Sequence, residues 1–259
     1  MTNIIDQFRQ LHVPGDPLIL FNIWDAGSAK AVVDAGAKAV ATGSYGVAEA
    51  LGYKDGETVP LDAALANLTN ILRVTDVPVS IDMESGYGGT AEDVGKSVAL
   101  AVEGGAAGIN LEDRMPGVDA LTPLAEQTLR IRAAADTGIF VNARCDAFRG
   151  KPAEQHGPAL VAEVLERASA YADAGAGCLF VPFTTHRGSI AAICEQAPIP
   201  VNIIWTPAAA GGFASASELA ELGAARISHG HRPWAAAMNW LAEEARLALA
   251  GTAPRYDGN

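Results

Sequence analysis

Residues 80–89 read SIDMESGYGG. Asp82 and Glu84 stand on alternate positions of an apolar run, so on a strand both carboxylates face the same side. Two neighbouring anions repel unless a cation lies between them. The same pattern returns in INLEDR, with Glu112, Asp113 and Arg114, and in VNARCDAF, with Asn142, Arg144 and Asp146. Oxygen-only donors in this number suit a hard divalent cation, Mg²⁺ or Mn²⁺, better than zinc. Mg²⁺ keeps several waters, so some of these carboxylates would hold it through water. Arg144 beside them suits the two-pronged grip of a carboxylate or phosphonate. Taken singly, Asp25 and Asp113 read as helix caps or turn residues. His156 and His186 are expected in solvated loops, and Met83 between a sheet and its helices.

What would bring these residues together is a repeated phrase: DAGAKAVAT at 34, EGGAAGINLE at 103, DAGAGCLFVP at 173 and ELGAARISHG at 221. Each follows a stretch with helical periodicity and precedes a short apolar run, so its glycine reads as a helix stop before a strand. Strands are expected near 18–24, 39–44, 78–84, 108–113, 139–144, 178–183, 200–205 and 225–229. Helices are expected near 27–35, 62–74, 91–104, 124–136, 158–174, 187–196, 215–222 and 233–249. The nearly continuous apolar strands suit a parallel sheet covered on both faces. Eight βα units predict an α/β fold, a (β/α)8 TIM barrel forming one domain over 1–259, rather than an open doubly wound sheet. In a barrel the chemistry sits at the C-terminal strand ends. These carry Trp24 and Asp25, then TGSYG at 42–46, the acids already named, Asn202 and Thr206, and finally Ser228, His229 and His231.

The chain of 259 residues has a formal net charge of -12, which argues against nucleic acid or an anionic membrane as partner. No apolar stretch reaches membrane-spanning length, and the first residues lack a signal-peptide pattern. Cys145, Cys178 and Cys194 are dispersed, without metal-ligand spacing, and are expected as small core residues of a cytoplasmic protein.

The ordered motifs TGSYGVAEALGYKDG, DMESGYGG, INLEDR and VNARCDAF resemble those of the isocitrate lyase / phosphoenolpyruvate mutase superfamily. The resemblance implies an enzyme that makes or breaks a C–C or P–C bond beside a small 2-oxo acid, with Mg²⁺ (or Mn²⁺) holding that unit. It implies Asp82 as the direct metal ligand, with Asp55, Glu84 and Glu112 holding metal-bound waters. Ser44, Tyr45 and Gly46 would form a loop that cradles the substrate carboxylate, and Arg144 would bind the anionic substrate. ISHGHRPWAAA resembles an element following strand 8, in which His231 would protonate an enolate or meet a distal carboxylate, if it does not simply cap the next helix. The resemblance further implies a homotetramer with its last helix swapped between paired subunits. Trp234, Met238, Trp240 and Leu241 would supply that helix's apolar surface.

The chain also departs from the pattern. Glu84 stands where aspartate is usual, and Tyr45 where glycine is common. The lyases carry a Lys-Lys-Cys-Gly-His loop after strand 4, where this chain has MPGVDALTP, without cysteine, lysine or histidine. That disfavours cleavage of isocitrate or methylisocitrate. The leading expectation is a Mg²⁺-dependent lyase of oxaloacetate decarboxylase type. The alternatives are a mutase or hydrolase acting on phosphonopyruvate, and a catalytically weak protein that binds a 2-oxo acid.

Overall fold

In the computed structural model, which describes residues 3–256, strand pairing runs around a ring. The strands are β1 Leu18–Leu20, β2 Val40–Ala41, β3 Val79–Asp82, β4 Gly108–Glu112, β5 Phe140–Arg144, β6 Cys178–Val181, β7 Val201–Ile204 and β8 Arg226–Ser228. All pair in parallel in the order β1-β8-β7-β6-β5-β4-β3-β2. A bridge from Ile23, just past β1, to Thr42, just past β2, closes the ring. The protein is therefore a single-domain TIM barrel, and the doubly wound alternative is excluded.

The surrounding helices are α1 Ile4–Gln10, α2 Ala26–Asp34, α3 Ser44–Leu51, α4 Leu61–Leu72, α5 Ala91–Glu103, α6 Leu124–Ala135, α7 Pro158–Asp173, α8 Arg187–Gln196, α9 Ala216–Glu221 and α10 Arg232–Leu249. Local chemistry sets several of their ends. Asp25 and Ser28 form a capping box that starts α2, as expected for Asp25, and Thr90 with Asp93 does the same for α5. In the repeated phrase the glycine takes the left-handed conformation that stops a helix, with φ of 95° at Gly105 and 100° at Gly175.

Two helices escape the sequence pattern. α1 has only seven residues, too few to show a period. Its Phe8 is fully buried and plugs the N-terminal end of the barrel among Leu18, Leu20, Ala41, Phe140 and Cys178. Gly108 makes room for it, since a Cβ there would lie 2.6 Å from the Phe8 ring. The second is α3, which begins at the segment expected to be a loop. Its N-cap is Gly43, without a side-chain cap, so the usual start signal is missing.

Above the Phe8 plug the barrel interior turns polar. Asn142 Nδ2 donates to Asn110 Oδ1 at 2.8 Å, and Asn202 Nδ2 donates to the Ser228 hydroxyl at 2.9 Å. Asn142 and Asn202 thus lie fully buried one layer beneath the mouth where they were expected. Thr206 closes a turn instead, its carbonyl accepting the Phe213 N–H at 2.8 Å. Met83 and Cys145 pack in the main core, with Cys194 half-buried against it, and Cys178, on β6, packs in the cluster around Phe8. His186 is exposed and caps α8. His156, expected in solvent, is buried against the Phe148 ring and bonded to the Lys151 carbonyl.

α10 departs from the barrel. Its first turn is anchored, with Pro233 buried, but no described element packs extensively along it, and Trp240 and Leu241 are 50% and 53% exposed. Ile19 and Phe21, on the outer face of the β1 edge, are also exposed. Among the described residues no helix is long and apolar enough to cross a membrane.

Candidate active site

A cavity of about 240 Å³ opens at the C-terminal strand ends, lined among others by Ser44, Tyr45, Asp55, Asp82, Arg144 and His231. These residues come from both sides of the ring, so only barrel closure brings them together. Glu84 lies directly beside them, sharing a smaller adjoining cavity with Asp82 and Ser44. Glu112 joins through Arg144, whose Nη1 meets Glu112 Oε2 at 2.6 Å. Gly46 does not line the mouth. It lies between Trp24 and Trp234, where a Cβ would approach their Cβ atoms to 3.2 and 3.3 Å, so its smallness serves the packing of α3.

Asp82 is held on both oxygens. The Ser44 N–H donates to Oδ2 at 3.1 Å and the Glu84 N–H to Oδ1 at 3.2 Å, while the Asp82 N–H donates to the Thr42 hydroxyl at 2.9 Å. The Ser44 segment is therefore the first turn of a helix, where backbone N–H groups lack intrahelical acceptors and attract anions. Burial raises the pKa of Asp82 against the opposing pull of Arg144. Glu84 is pushed up to about 8, first by burial and then by the charge of Asp82. Glu112 rises to about 7 through burial, which the Arg144 charge only partly offsets.

Arg144 is clamped. Besides Glu112, it donates from Nε and Nη2 to the two oxygens of Asp146 at 2.6 and 2.9 Å. Burial alone would lower its pKa, but Glu112 and Asp146 outweigh that and keep it charged. Asp146 is in turn set by Asp113, whose Oδ1 accepts the Asp146 N–H at 2.9 Å. The other oxygen of Asp113 accepts from the Tyr171 hydroxyl at 2.8 Å and from Arg167 at 3.3 Å. Asp113 is fully buried and so is no helix cap. The correction has a physical cause: alternation directs residue 113 outward, and α7 lays Arg167 and Tyr171 over it.

His231 occupies the N-cap position of α10, yet its side chain makes no capping bond. Its ring stands at the mouth, edge-on to Tyr45 with centroids 5.5 Å apart.

Other residues of the site gave no sequence signal. Asn22 ties β1 to β8, its Oδ1 accepting the His229 and Gly230 N–H groups at 2.8 Å each. Glu57 latches the loop that carries Asp55. Its N–H donates to Glu84, and its carboxylate accepts the Ser85 hydroxyl and, at 3.0 Å, the Ser85 N–H. Arg149 and Phe183 also line the cavity.

Among the described residues no three His, Cys, Asp or Glu side chains converge tightly enough to enclose a metal by themselves. The donor set fits an ion that takes one protein carboxylate and keeps its waters. Asp82 faces the mouth, the carboxylates grouped with it (Asp55, Glu84 and Glu112) offer only oxygens, and burial makes charge on Asp82, Glu84 and Glu112 costly, a cost that a divalent cation would offset.

Comparison with known proteins places the chain in a family. The profile of the phosphoenolpyruvate phosphomutase family matches residues 8–249. An uncharacterized protein of Mycobacterium tuberculosis is 33% identical over 94% of this chain and 89% of its own length. The oxaloacetate decarboxylase of Paraburkholderia xenovorans is 26% identical over 95% of this chain and 82% of its own. A crystal structure of a provisionally assigned phosphonomutase from Burkholderia cenocepacia superposes with a TM-score of 0.89 at 43% identity, covering 96% of this chain and 98% of the other.

Proposed function

The chain belongs to the phosphoenolpyruvate phosphomutase family, within the isocitrate lyase / phosphoenolpyruvate mutase superfamily of lyases and mutases, and from that premise we propose a Mg²⁺- or Mn²⁺-dependent lyase that breaks a C–C bond beside the 2-oxo group of a small acid. Decarboxylation of oxaloacetate is its simplest form. The observation that carries this reading is the mouth itself, where Asp82, the start of α3 and Arg144 face one cavity, while the 115–123 segment offers no acid or base of the lyase-loop kind.

Asp82 would hold the ion directly, with Asp55, Glu84 and Glu112 steadying its waters. Bound there, the ion would supply positive charge where the breaking bond leaves negative charge on the 2-oxo oxygen. Ser44 and the first turn of α3, with Tyr45 beside them, would fix the C1 carboxylate. Gly46 supports that turn by letting α3 pack against Trp24 and Trp234. Arg144, held by Glu112 and Asp146, would present its remaining N–H groups to the oxo acid. Phe180, Pro182 and Ile204 line the cavity and would keep water from the breaking bond. In decarboxylation the C3–C4 bond electrons move toward the 2-oxo oxygen, CO₂ leaves, and C3 later takes a proton. His231 stands at the mouth to deliver that proton or to orient the leaving carboxylate.

The 43% identity to a provisionally assigned phosphonomutase favours a second reading, P–C bond chemistry on phosphonopyruvate. The test follows loss of oxaloacetate and of phosphonopyruvate, with and without Mg²⁺, above the rate set by free Mg²⁺ alone. Asp82→Ala should abolish turnover and metal binding, whereas His231→Ala should lower turnover by roughly two to four orders of magnitude with metal affinity intact. Wild-type rates equal to background on both substrates would leave a 2-oxo acid-binding protein. For assembly, the exposed apolar residues of α10 and the uncovered Ile19 and Phe21 support a homotetramer in which α10 lies on a paired subunit.

A further inference from the structure

Arg144 is the cation that the sequence points to for an anionic substrate, but its charge is already spent. Its guanidinium meets Glu112 at 2.6 Å and both oxygens of Asp146 at 2.6 and 2.9 Å, and its side chain is only 16% exposed. One positive charge between two carboxylates leaves this cluster net negative. A second guanidinium faces the same cavity. Arg149 has a 47% exposed side chain and pairs with Asp146 Oδ2 at a longer 3.3 Å, on an oxygen that Arg144 already occupies.

Phe183 stands beside both guanidinium groups, its ring centroid 5.5 Å from each. Its backbone is left-handed, with φ of 66°, and the residue is 45% exposed. A bulky residue rarely adopts that conformation, and such strain gathers where a side chain must be aimed. Here the strain aims the ring at the two arginines rather than into a core. Topology sets the distance from the metal end: Phe183 follows β6 and Ser44 follows β2, and these strands lie on opposite sides of an eight-stranded ring.

We propose that Arg149, shelved on the Phe183 ring, binds the second anionic group of the substrate, at the β5–β6 side of the mouth and across it from the start of α3. Arg149 is then the residue that selects a C3-substituted dianion over a simple monocarboxylate, while Arg144, its charge balanced by Glu112 and Asp146, keeps only its remaining N–H groups for the oxo-acid end. The inference rests on the oxo-acid reading above.

The test uses a matched pair of unreactive ligands, lactate and malate, which differ by one distal carboxylate. Oxalate, too short to span the mouth, reports occupancy of the metal end. Binding of all three is measured by calorimetry on the full chain with Mg²⁺. Arg149→Gln should weaken malate ten- to hundredfold, as expected for loss of a charge-assisted pair, and leave lactate and oxalate unchanged. Arg149→Lys should restore part of the malate affinity, and Phe183→Leu should lose part of it. Malate binding unchanged in Arg149→Gln overturns the inference and spares the oxo-acid reading. Equal losses for all three ligands would also overturn it, because they mark a general structural role. A wild-type protein that fails to bind oxalate with Mg²⁺ refutes the oxo-acid reading, and the inference falls with it.

Discussion

Replacing Asp113 by alanine separates two readings of that residue by size. As a helix cap or turn residue it would contribute about 0.5–2 kcal/mol. The structure instead buries it completely, under the Asp146 N–H at 2.9 Å, the Tyr171 hydroxyl at 2.8 Å and the Arg167 guanidinium at 3.3 Å. Arg167 is itself 11% exposed, and its other carboxylate neighbour, Glu163, is 3.9 Å away. Removing one partner of a buried pair leaves the other charge uncompensated, at a cost of about 3–5 kcal/mol. For a domain of this size that corresponds to a melting temperature lower by roughly 6–20 °C. Thermal and urea unfolding of Asp113→Ala, Arg167→Met and the double variant provide the assay. The double variant should cost clearly less than the sum of the singles, because the orphaned charge is gone. Asp113→Ala should also loosen the Asp146–Arg144 clamp, raising KM for an anionic substrate. A loss within the cap range, with additive single effects, would refute the argument.

Burial holds His12 down to about 3 from an ordinary 6.5, so between those values the unfolded chain takes up the proton and the folded one does not. Stability should fall by about 2 kcal/mol from pH 7 to pH 5 through this group. Urea unfolding at the two pH values should show a smaller drop for His12→Gln, and equal slopes would contradict the burial argument. Glu84 and Glu112, raised to about 8 and 7, titrate with the opposite sign, but they do so in both proteins and cancel from the comparison. A folded Cys145→Ala, Cys178→Ala, Cys194→Ser variant should keep its turnover, because burial raises all three thiols; a thousandfold loss would place a thiol in the chemistry. Sedimentation at micromolar concentration should show an oligomer that Trp240→Glu with Leu241→Glu weakens, and a wild-type monomer would exclude the swapped α10.

Local and repetitive signals carried most of the fold. The glycine phrase marks helix-to-strand turns because only glycine easily takes the left-handed conformation, and near-continuous apolar strands imply burial on both faces. The acids ending β3, β4 and β5 were legible because strand ends project into one place once a barrel is assumed, but Glu84 is not on the strand with Asp82 as expected: β3 ends at Asp82 and Glu84 follows in a left-handed turn with φ of 49°. The sequence could not show which face of the strand end holds Asp113, since an acid in an open turn and an acid beneath a helix read alike in one dimension. Nor could it show that Ser44 opens a helix, because Gly43 provides no cap, or that Asn142 and Asn202 lie below the mouth. Strand register decides that depth, and register depends on pairing between segments tens of residues apart. Glu57 on Ser85 and Phe183 beside Arg144 and Arg149 are contacts of the same kind, made only when neighbouring strands pair. Sequence by itself determined the repeating units and the types of residue at their ends, because both follow from local backbone preference and burial. Only the tertiary structure decided which charges meet, because electrostatic neighbours are set by distance in space.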